Sequence, residues 1–196
     1  RELQARVPEA SGVVLSFHGQ DDLGMATANS LAAISAGARQ VEVAVNGLGE
    51  RAGNTAFEEV VMALRVHGEA LGVETAVDTR GIWAVSQAVA RRSGFAVPPN
   101  KAIVGGNAFR HASGIHQDGV LKCRETYEAV DPAEIGHPVG TQIVLGKLSG
   151  RAGFASRVRA LGIAPSDAAL ERAFARFQEL ADGRGEIADE ELVALC

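Results

Sequence analysis

Residues 12–22 read GVVLSFHGQDD, a short apolar run followed at once by a polar cluster, and they set the fold class. The run over 12–17 is rich in β-branched residues and predicts a strand buried on both faces. Residues 24–37, GMATANSLAAISAG, predict a helix that ends at a glycine. A second strand is predicted over 41–45, VEVAV, and a second helix over 55–67. This strand–helix–strand–helix order predicts an α/β architecture with a parallel sheet or barrel.

Beyond residue 72 the pattern changes to helices and glycine-rich loops. Asp78 or Thr79 can cap a helix that runs to about Arg92. Residues 101–150 predict compact loops with short elements. Ser166 then caps an amphipathic helix, because apolar residues recur after it at helical spacing.

Composition excludes several classes of protein. The 196 residues are 46% hydrophobic and 22% charged, which is enough apolar content for a folded core. A net charge of −5 provides no basic surface for nucleic acid or an anionic membrane. No apolar run approaches the roughly 20 residues that span a bilayer, and a signal segment is not expected. Cys123 and Cys196 form no disulfide framework, so a reduced, cytoplasmic setting is predicted.

Three polar clusters hold the candidate functional residues. The cluster 18–22, HGQDD, follows a predicted strand and offers an imidazole and carboxylates to a divalent cation, with a simple helix cap as the alternative. The turn 46–54, NGLGERAGN, can deliver Asn54 to the same face, and its glycine spacing does not match the dinucleotide-binding pattern. The cluster 111–118, HASGIHQD, suits acid–base chemistry because imidazole titrates near neutral pH, with ordinary loop residues as the alternative.

Taken in order, these clusters resemble the motifs of the 2-isopropylmalate synthase family. The resemblance extends over residues 6–195, essentially the whole chain. Its most specific segments are DLGMATANSLAAISAGARQVE (22–42), NGLGERAGNTAFEEVVMAL (46–64), PNKAIVGGNAF (99–109), SGIHQDGVLK (113–122) and ARFQELAD (175–182). Homocitrate and citramalate synthases share the barrel motifs, but AIVGGNAF and GIHQDGVLK are closer to the isopropylmalate synthases.

The resemblance implies a TIM-type (β/α)₈ barrel followed by small, mostly helical subdomains. Residues 1–72 would supply the last two βα units of that barrel. Residues 73–135 would form a linker subdomain with a helix and the GIHQDG loop, and residues 136–196 a helical C-terminal subdomain. The family's first-strand motif has no counterpart here, and a whole barrel needs roughly 250 residues. The chain is therefore expected to be a C-terminal fragment or a truncated gene product, and to be inactive alone.

The activity implied by the resemblance is condensation of acetyl-CoA with 3-methyl-2-oxobutanoate in leucine biosynthesis. A divalent cation (Mn, Mg or Zn) would bind the 2-oxo acid and polarise its keto group. By match to the family motifs, the metal ligands would be His18, Gln20 and Asn54. His116 would be the catalytic residue that supports proton transfer across the interface of a homodimer. Neither nucleic acid nor a membrane is an expected partner.

Four positions depart from the family pattern near the implied site. Gln20 stands where the family has a histidine, and Asp21 where it has an asparagine. Ala112 replaces a glutamate and Leu148 a histidine, and neither can titrate. Two alternatives therefore stand beside the synthase interpretation. One is a non-catalytic remnant that acts as a dimerisation or interaction module, and the other is a homocitrate or citramalate synthase relative.

Overall fold

The computed structural model describes all 196 residues, Arg1–Cys196, as a mixed α/β chain with eight α-helices and four short strands. The chain divides into two compact units. Unit 1 comprises Arg1–Ala108 and Ala133–Pro138, and unit 2 comprises Phe109–Pro132 and Val139–Cys196. The three-part division expected from the sequence stays a prediction. None of the eight helices has both the length and the apolar character to traverse a bilayer.

Unit 1 contains a parallel two-stranded sheet and four helices. The element bounds are α1 Glu2–Arg6, β1 Ser16–His18, α2 Ala26–Ser35, β2 Gln40–Glu42, α3 Phe57–Leu71 and α4 Ile82–Ser93. In the β1–β2 register, Phe17 lies opposite Val41 and His18 lies opposite Glu42. The predicted order of strand, helix, parallel strand and helix is therefore confirmed.

The predicted strand limits are wrong. The strand expected over 12–17 begins only at Ser16, and Val13 and Val14 are 62% and 65% exposed instead of buried on both faces. The strand expected over 41–45 ends at Glu42, and a 3₁₀ turn begins at Val45. The physical reason is that β1 pairs with β2 alone, so the apolar run has no neighbouring strand or covering layer over it.

The helices of unit 1 follow their sequence signals more closely. The helix expected over 55–67 extends from Phe57 to Leu71 and ends at Gly72, whose φ of 65° suits a glycine. Asp78 accepts a hydrogen bond from the Arg80 backbone N–H and so caps the 3₁₀ turn Thr79–Gly81, which leads directly into α4. The buried apolar residues of this unit include Ala26 and Ile34 of α2 and Val60, Val61 and Met62 of α3.

The separate segment Ala133–Pro138 completes unit 1. Thr79 donates a hydrogen bond of 2.6 Å to the Glu134 carbonyl. The Trp83 and His137 rings meet edge to face with centroids 4.2 Å apart, and burial lowers the pKa of His137. These contacts hold a short loop, distant in sequence, against the start of α4.

Unit 2 combines a second parallel strand pair with four helices. The element bounds are β3 Arg110–His111, α5 Gly114–Lys122, β4 Gln142–Ile143, α6 Arg151–Ala160, α7 Asp167–Ala181 and α8 Asp189–Leu195. The core lies among α6, α7 and α8, where Phe154, Phe177 and Leu192 are fully buried. The helix predicted after Ser166 is confirmed, with the Ser166 hydroxyl accepting from the Ala169 N–H at 3.3 Å.

Candidate functional site

Three predicted ligand residues lie together beside the β1–β2 sheet. Gln20 and Asn54 pair as an antiparallel bridge, so the chain after β1 lies alongside the chain after the glycine-rich turn. The Thr55 N–H donates to the Gly19 carbonyl at 3.1 Å and extends this pairing. The Gln20 side-chain Nε2 lies 3.2 Å from His18 Nε2. The structure therefore brings His18, Gln20 and Asn54 together, while their role as metal ligands stays a prediction.

Two buried amide oxygens in this cluster have no hydrogen-bond partner. They are Gln20 Oε1 and Asn54 Oδ1. The Asn54 amide nitrogen donates to the Leu48 carbonyl at 3.1 Å, which fixes the side chain and leaves its oxygen unpaired. An unsatisfied buried acceptor costs about 1–3 kcal/mol, so both oxygens favour an electropositive ligand.

Glu42 is the residue that sequence reasoning missed at this site. Its carboxylate Oε2 lies 3.1 Å from His18 Nδ1, and both side chains are about half exposed. The contact follows from the register, because directly opposite residues on paired strands project to the same face. The predicted strand over 41–45 contained Glu42, but the sequence alone does not reveal which residue lies opposite His18.

The neighbouring aspartates are engaged elsewhere. Asp21 Oδ1 accepts from the Ala26 N–H at 2.8 Å at the start of α2. Asp22 forms two hydrogen bonds with the Arg51 guanidinium, at 2.8 and 2.9 Å. The hydrogen bond from Arg51 lowers the pKa of Asp22 below its ordinary value. These bonds join the loop after β1 to α2 and to the glycine-rich turn.

The side chains of His18, Gln20 and Asn54 are of types that bind divalent cations, but none of them carries a negative charge. Together they offer one imidazole nitrogen and two unpaired amide oxygens, all of which can ligate such ions. No group of three or more His, Cys, Asp or Glu side chains is arranged to hold a metal. A site of neutral donors offsets the desolvation of a dication poorly, so its expected affinity is low.

His116 lies in unit 2, in the first turn of α5. The sequence placed it in a loop, and that expectation is wrong because the segment from Gly114 forms a helix. The His116 ring is exposed and lies against Tyr127, with ring centroids 4.2 Å apart and planes tilted by 31°. Tyr127 was not singled out from the sequence, since ten residues lie between it and His116 and no periodic pattern links them.

The buried Gln117 side chain anchors α5. Its amide nitrogen lies within hydrogen-bond distance of the His111 and Val144 carbonyls, at 3.0 and 2.8 Å, and of the Ser149 hydroxyl, at 3.1 Å. His111 belongs to β3 and Val144 directly follows β4, so the helix that bears His116 is fixed to the strand pair. His116 is thus an exposed imidazole on a firmly held helix turn.

The two histidines of the 111–118 cluster have different environments. His111 is buried, with Nε2 2.9 Å from Glu128 Oε1, and the Thr141 hydroxyl donates to the other oxygen of that carboxylate. The two positions that depart from the family pattern in this unit, Ala112 and Leu148, are exposed, and Leu148 is 72% exposed. An exposed leucine offers neither a proton nor a hydrogen bond there.

Comparison with known proteins identifies the class first. Residues 1–89 match the HMGL-like family, and residues 103–185 match the family described as homocitrate synthase post-HMGL domain-like. The chain is 55% identical over 196 residues to a 2-isopropylmalate synthase of Dechloromonas aromatica, 56% to one of Neisseria meningitidis serogroup B, and 51% over 197 residues to one of Burkholderia pseudomallei. Each alignment covers all of this chain and 38% of the relative. Over its whole length the chain is similar to 2-isopropylmalate synthases, so the resemblance seen in its motifs is confirmed.

Proposed function

We propose that this chain is the C-terminal part of the catalytic region of a 2-isopropylmalate synthase-type acyltransferase. The observation that carries the proposal is the convergence of His18, Gln20 and Asn54 beside two parallel strands, with two buried amide oxygens left unpaired. In barrel enzymes, polar side chains beyond the carboxyl ends of parallel strands form the active face. The substrates would be acetyl-CoA and 3-methyl-2-oxobutanoate, and the setting cytoplasmic.

The strand pair β1–β2 with α2 and α3 would be the last two βα units of a (β/α)₈ barrel. The exposure of Val13 and Val14 supports this interpretation, because these residues have the composition of a strand buried on both faces.

Exposed apolar side chains and an unpaired strand edge also favour association with another chain. We therefore expect a homodimer or larger assembly, which light scattering would detect, and a stable monomer at high concentration would contradict this.

A divalent cation would be held by His18 Nε2, Gln20 Oε1 and Asn54 Oδ1. When bound, such an ion acts as a Lewis acid toward the keto oxygen of a 2-oxo acid. The chain's own residues orient this site. The Asn54–Leu48 hydrogen bond fixes one oxygen, and the pairing of Asn54 with Gln20 sets the spacing of the two amides.

His116 would move the proton that the condensation requires. Its ring is exposed, the face against Tyr127 limits its rotation, and α5 is anchored through Gln117. An imidazole can accept and release a proton near neutral pH, which suits it to general acid–base work.

One observation favours the alternative of a non-catalytic interaction module. The Gln20 amide nitrogen lies against His18 Nε2, the atom that a metal would require. An amide oxygen is also a weaker ligand than the family's imidazole for the borderline metals. Substituting Gln20→His should therefore strengthen Mn²⁺ binding by about tenfold or more, which corresponds to about 1.4 kcal/mol. Mn²⁺ is the appropriate probe because sulfur ligands, which the two exposed cysteines could supply, prefer softer ions.

A chimera tests the catalytic proposal directly. These 196 residues would replace the matching stretch of the Dechloromonas aromatica relative, and thiol release from acetyl-CoA would be followed with 3-methyl-2-oxobutanoate. We expect weak activity from the chimera and a large gain on Gln20→His, with loss again when Asn54→Ala is added. A well-folded chimera that stays inactive with Gln20→His would favour the interaction module. Preference for pyruvate or 2-oxoglutarate would favour a citramalate or homocitrate synthase relative.

A further inference from the structure

Two contacts on the His18 ring demand the same position for its proton. Glu42 Oε2 lies 3.1 Å from Nδ1, and an ionised carboxylate only accepts hydrogen bonds. Gln20 Nε2 lies 3.2 Å from His18 Nε2, and an amide nitrogen only donates. With both partners in these roles, Nδ1 would donate and Nε2 would accept, which is the arrangement of a ring that carries its proton on Nδ1. Free histidine in water prefers the opposite arrangement, with the proton on Nε2.

We propose that Glu42 is a positioning residue that holds the His18 proton on Nδ1 and so presents the Nε2 lone pair to the Gln20–Asn54 edge. The parallel register places Glu42 directly opposite His18, within reach of the ring. The other carboxylate oxygen, Oε1, lies 3.5 Å from the Ser16 hydroxyl, which adds a weak contact to Glu42.

The consequence concerns the atom that a cation would meet. A histidine ligates a metal through a nitrogen that bears no proton, and a carboxylate on the other nitrogen fixes the ring orientation and raises its basicity. In this chain the Gln20 amide nitrogen lies next to Nε2, on the side where a metal would bind, and donates a hydrogen bond to it. Glu42 would thus keep Nε2 free of a proton and available to a metal. This role rests on the proposed function. The position of the proton can be measured without any metal.

The ¹⁵N shifts of the imidazole nitrogens test the proton position. The full chain with ¹⁵N-labelled histidine is measured in alkaline buffer, and the His18 signals are assigned by their loss in His18→Gln. We expect a pyrrole-type shift for Nδ1 and a pyridine-type shift for Nε2. In Glu42→Ala the ring should change toward the Nε2–H form. The Nδ1 shift should then move toward the pyridine type and the Nε2 shift toward the pyrrole type. Glu42 is about half exposed, so its removal leaves the core intact.

Ser16→Ala is the matched control, because Ser16 contacts Glu42 but not the ring, and it should leave the shifts unchanged. A wild-type ring protonated on Nε2, or an Nδ1–H ring that persists in Glu42→Ala, overturns the proposal. In the Gln20→His background, Glu42→Ala should also weaken Mn²⁺ binding by about tenfold or more. If that background binds no Mn²⁺ while the shifts behave as expected, the proposed metal site fails and the positioning role of Glu42 stands.

Discussion

The ion pair between Lys101 and Glu58 provides the sharpest test of what stabilises unit 1. Glu58 is 1% exposed, and its Oε2 accepts from the Asn46 N–H at 2.9 Å. Its Oε1 lies 3.2 Å from the Lys101 ammonium, which also pairs with Glu59. Lys101 is 17% exposed. Replacing Lys101 by methionine keeps most of the side-chain volume and leaves a buried carboxylate without its cation.

Removal of one partner of a buried pair costs about 3–5 kcal/mol. Because Lys101 is not fully buried and Glu59 can turn to water, we expect Lys101→Met to cost about 3 kcal/mol, near the lower end of that range. Domains are stable by only about 5–15 kcal/mol in total. With a urea m value of about 1–3 kcal/mol/M, the unfolding midpoint should fall by about 1–3 M.

Urea titration followed by tryptophan fluorescence measures this change, since Trp83 is the one tryptophan and lies in unit 1. Lys122→Met is the matched control, because the Lys122–Asp118 pair is exposed and should contribute at most about 1 kcal/mol. Its unfolding is followed by circular dichroism. The double variant Glu58→Gln with Lys101→Met should recover part of the loss, because the uncompensated charge is gone. A Lys101→Met midpoint that moves no further than that of the control refutes the reasoning.

Three further outcomes follow from the structure. Burial opposes the charge of Lys101, but its two glutamate partners outweigh burial and raise the pKa above its ordinary 10.5. The stabilisation is therefore complete below pH 10.5 and is lost as the pH rises through the raised pKa, so fluorescence-detected unfolding should show an alkaline loss that Lys101→Met lacks. Phe177→Ala should destabilise unit 2 by about 3–5 kcal/mol in denaturant titrations, because Phe177 is 1% exposed and packs 5.0 Å from the Phe154 ring. Ser166→Ala should cost about 1 kcal/mol by the same titration, because it removes the cap on Ala169, and an unchanged midpoint would show that the cap adds no stability.

The sequence predicts those parts of the fold that depend on local chemistry. Ser166 and the apolar spacing that follows it predict α7, and Asp78 predicts the start of the α4 region, because caps and helical periodicity act within a few residues. The order of strands and helices in unit 1 is readable for the same reason. Strand limits are different, since they depend on which neighbour is paired, and Val13 and Val14 have no such neighbour.

The residues of the candidate site also divide into those that the sequence identifies and those that it does not. His18 and Asn54 were identifiable because each directly follows or closes a recognisable motif. Glu42 and Tyr127 were not, because the first depends on the strand register and the second on how a loop folds back against α5. Both contacts link residues far apart in sequence, where neither periodicity nor spacing carries information.

The interleaving of the two units has a consequence for gene recombination. Ala133–Pro138 belongs to unit 1, although it follows a stretch that belongs to unit 2, so unit boundaries fall at 108/109, 132/133 and 138/139. A single crossover at 108/109 between diverged parents would set Thr79 and Trp83 from one parent against the 133–138 loop from the other. Three crossovers would be needed to exchange either unit intact. Viable natural hybrids should therefore carry their crossover points outside residues 79–138, because a single crossover anywhere between Trp83 and the 133–138 loop separates these contacting residues.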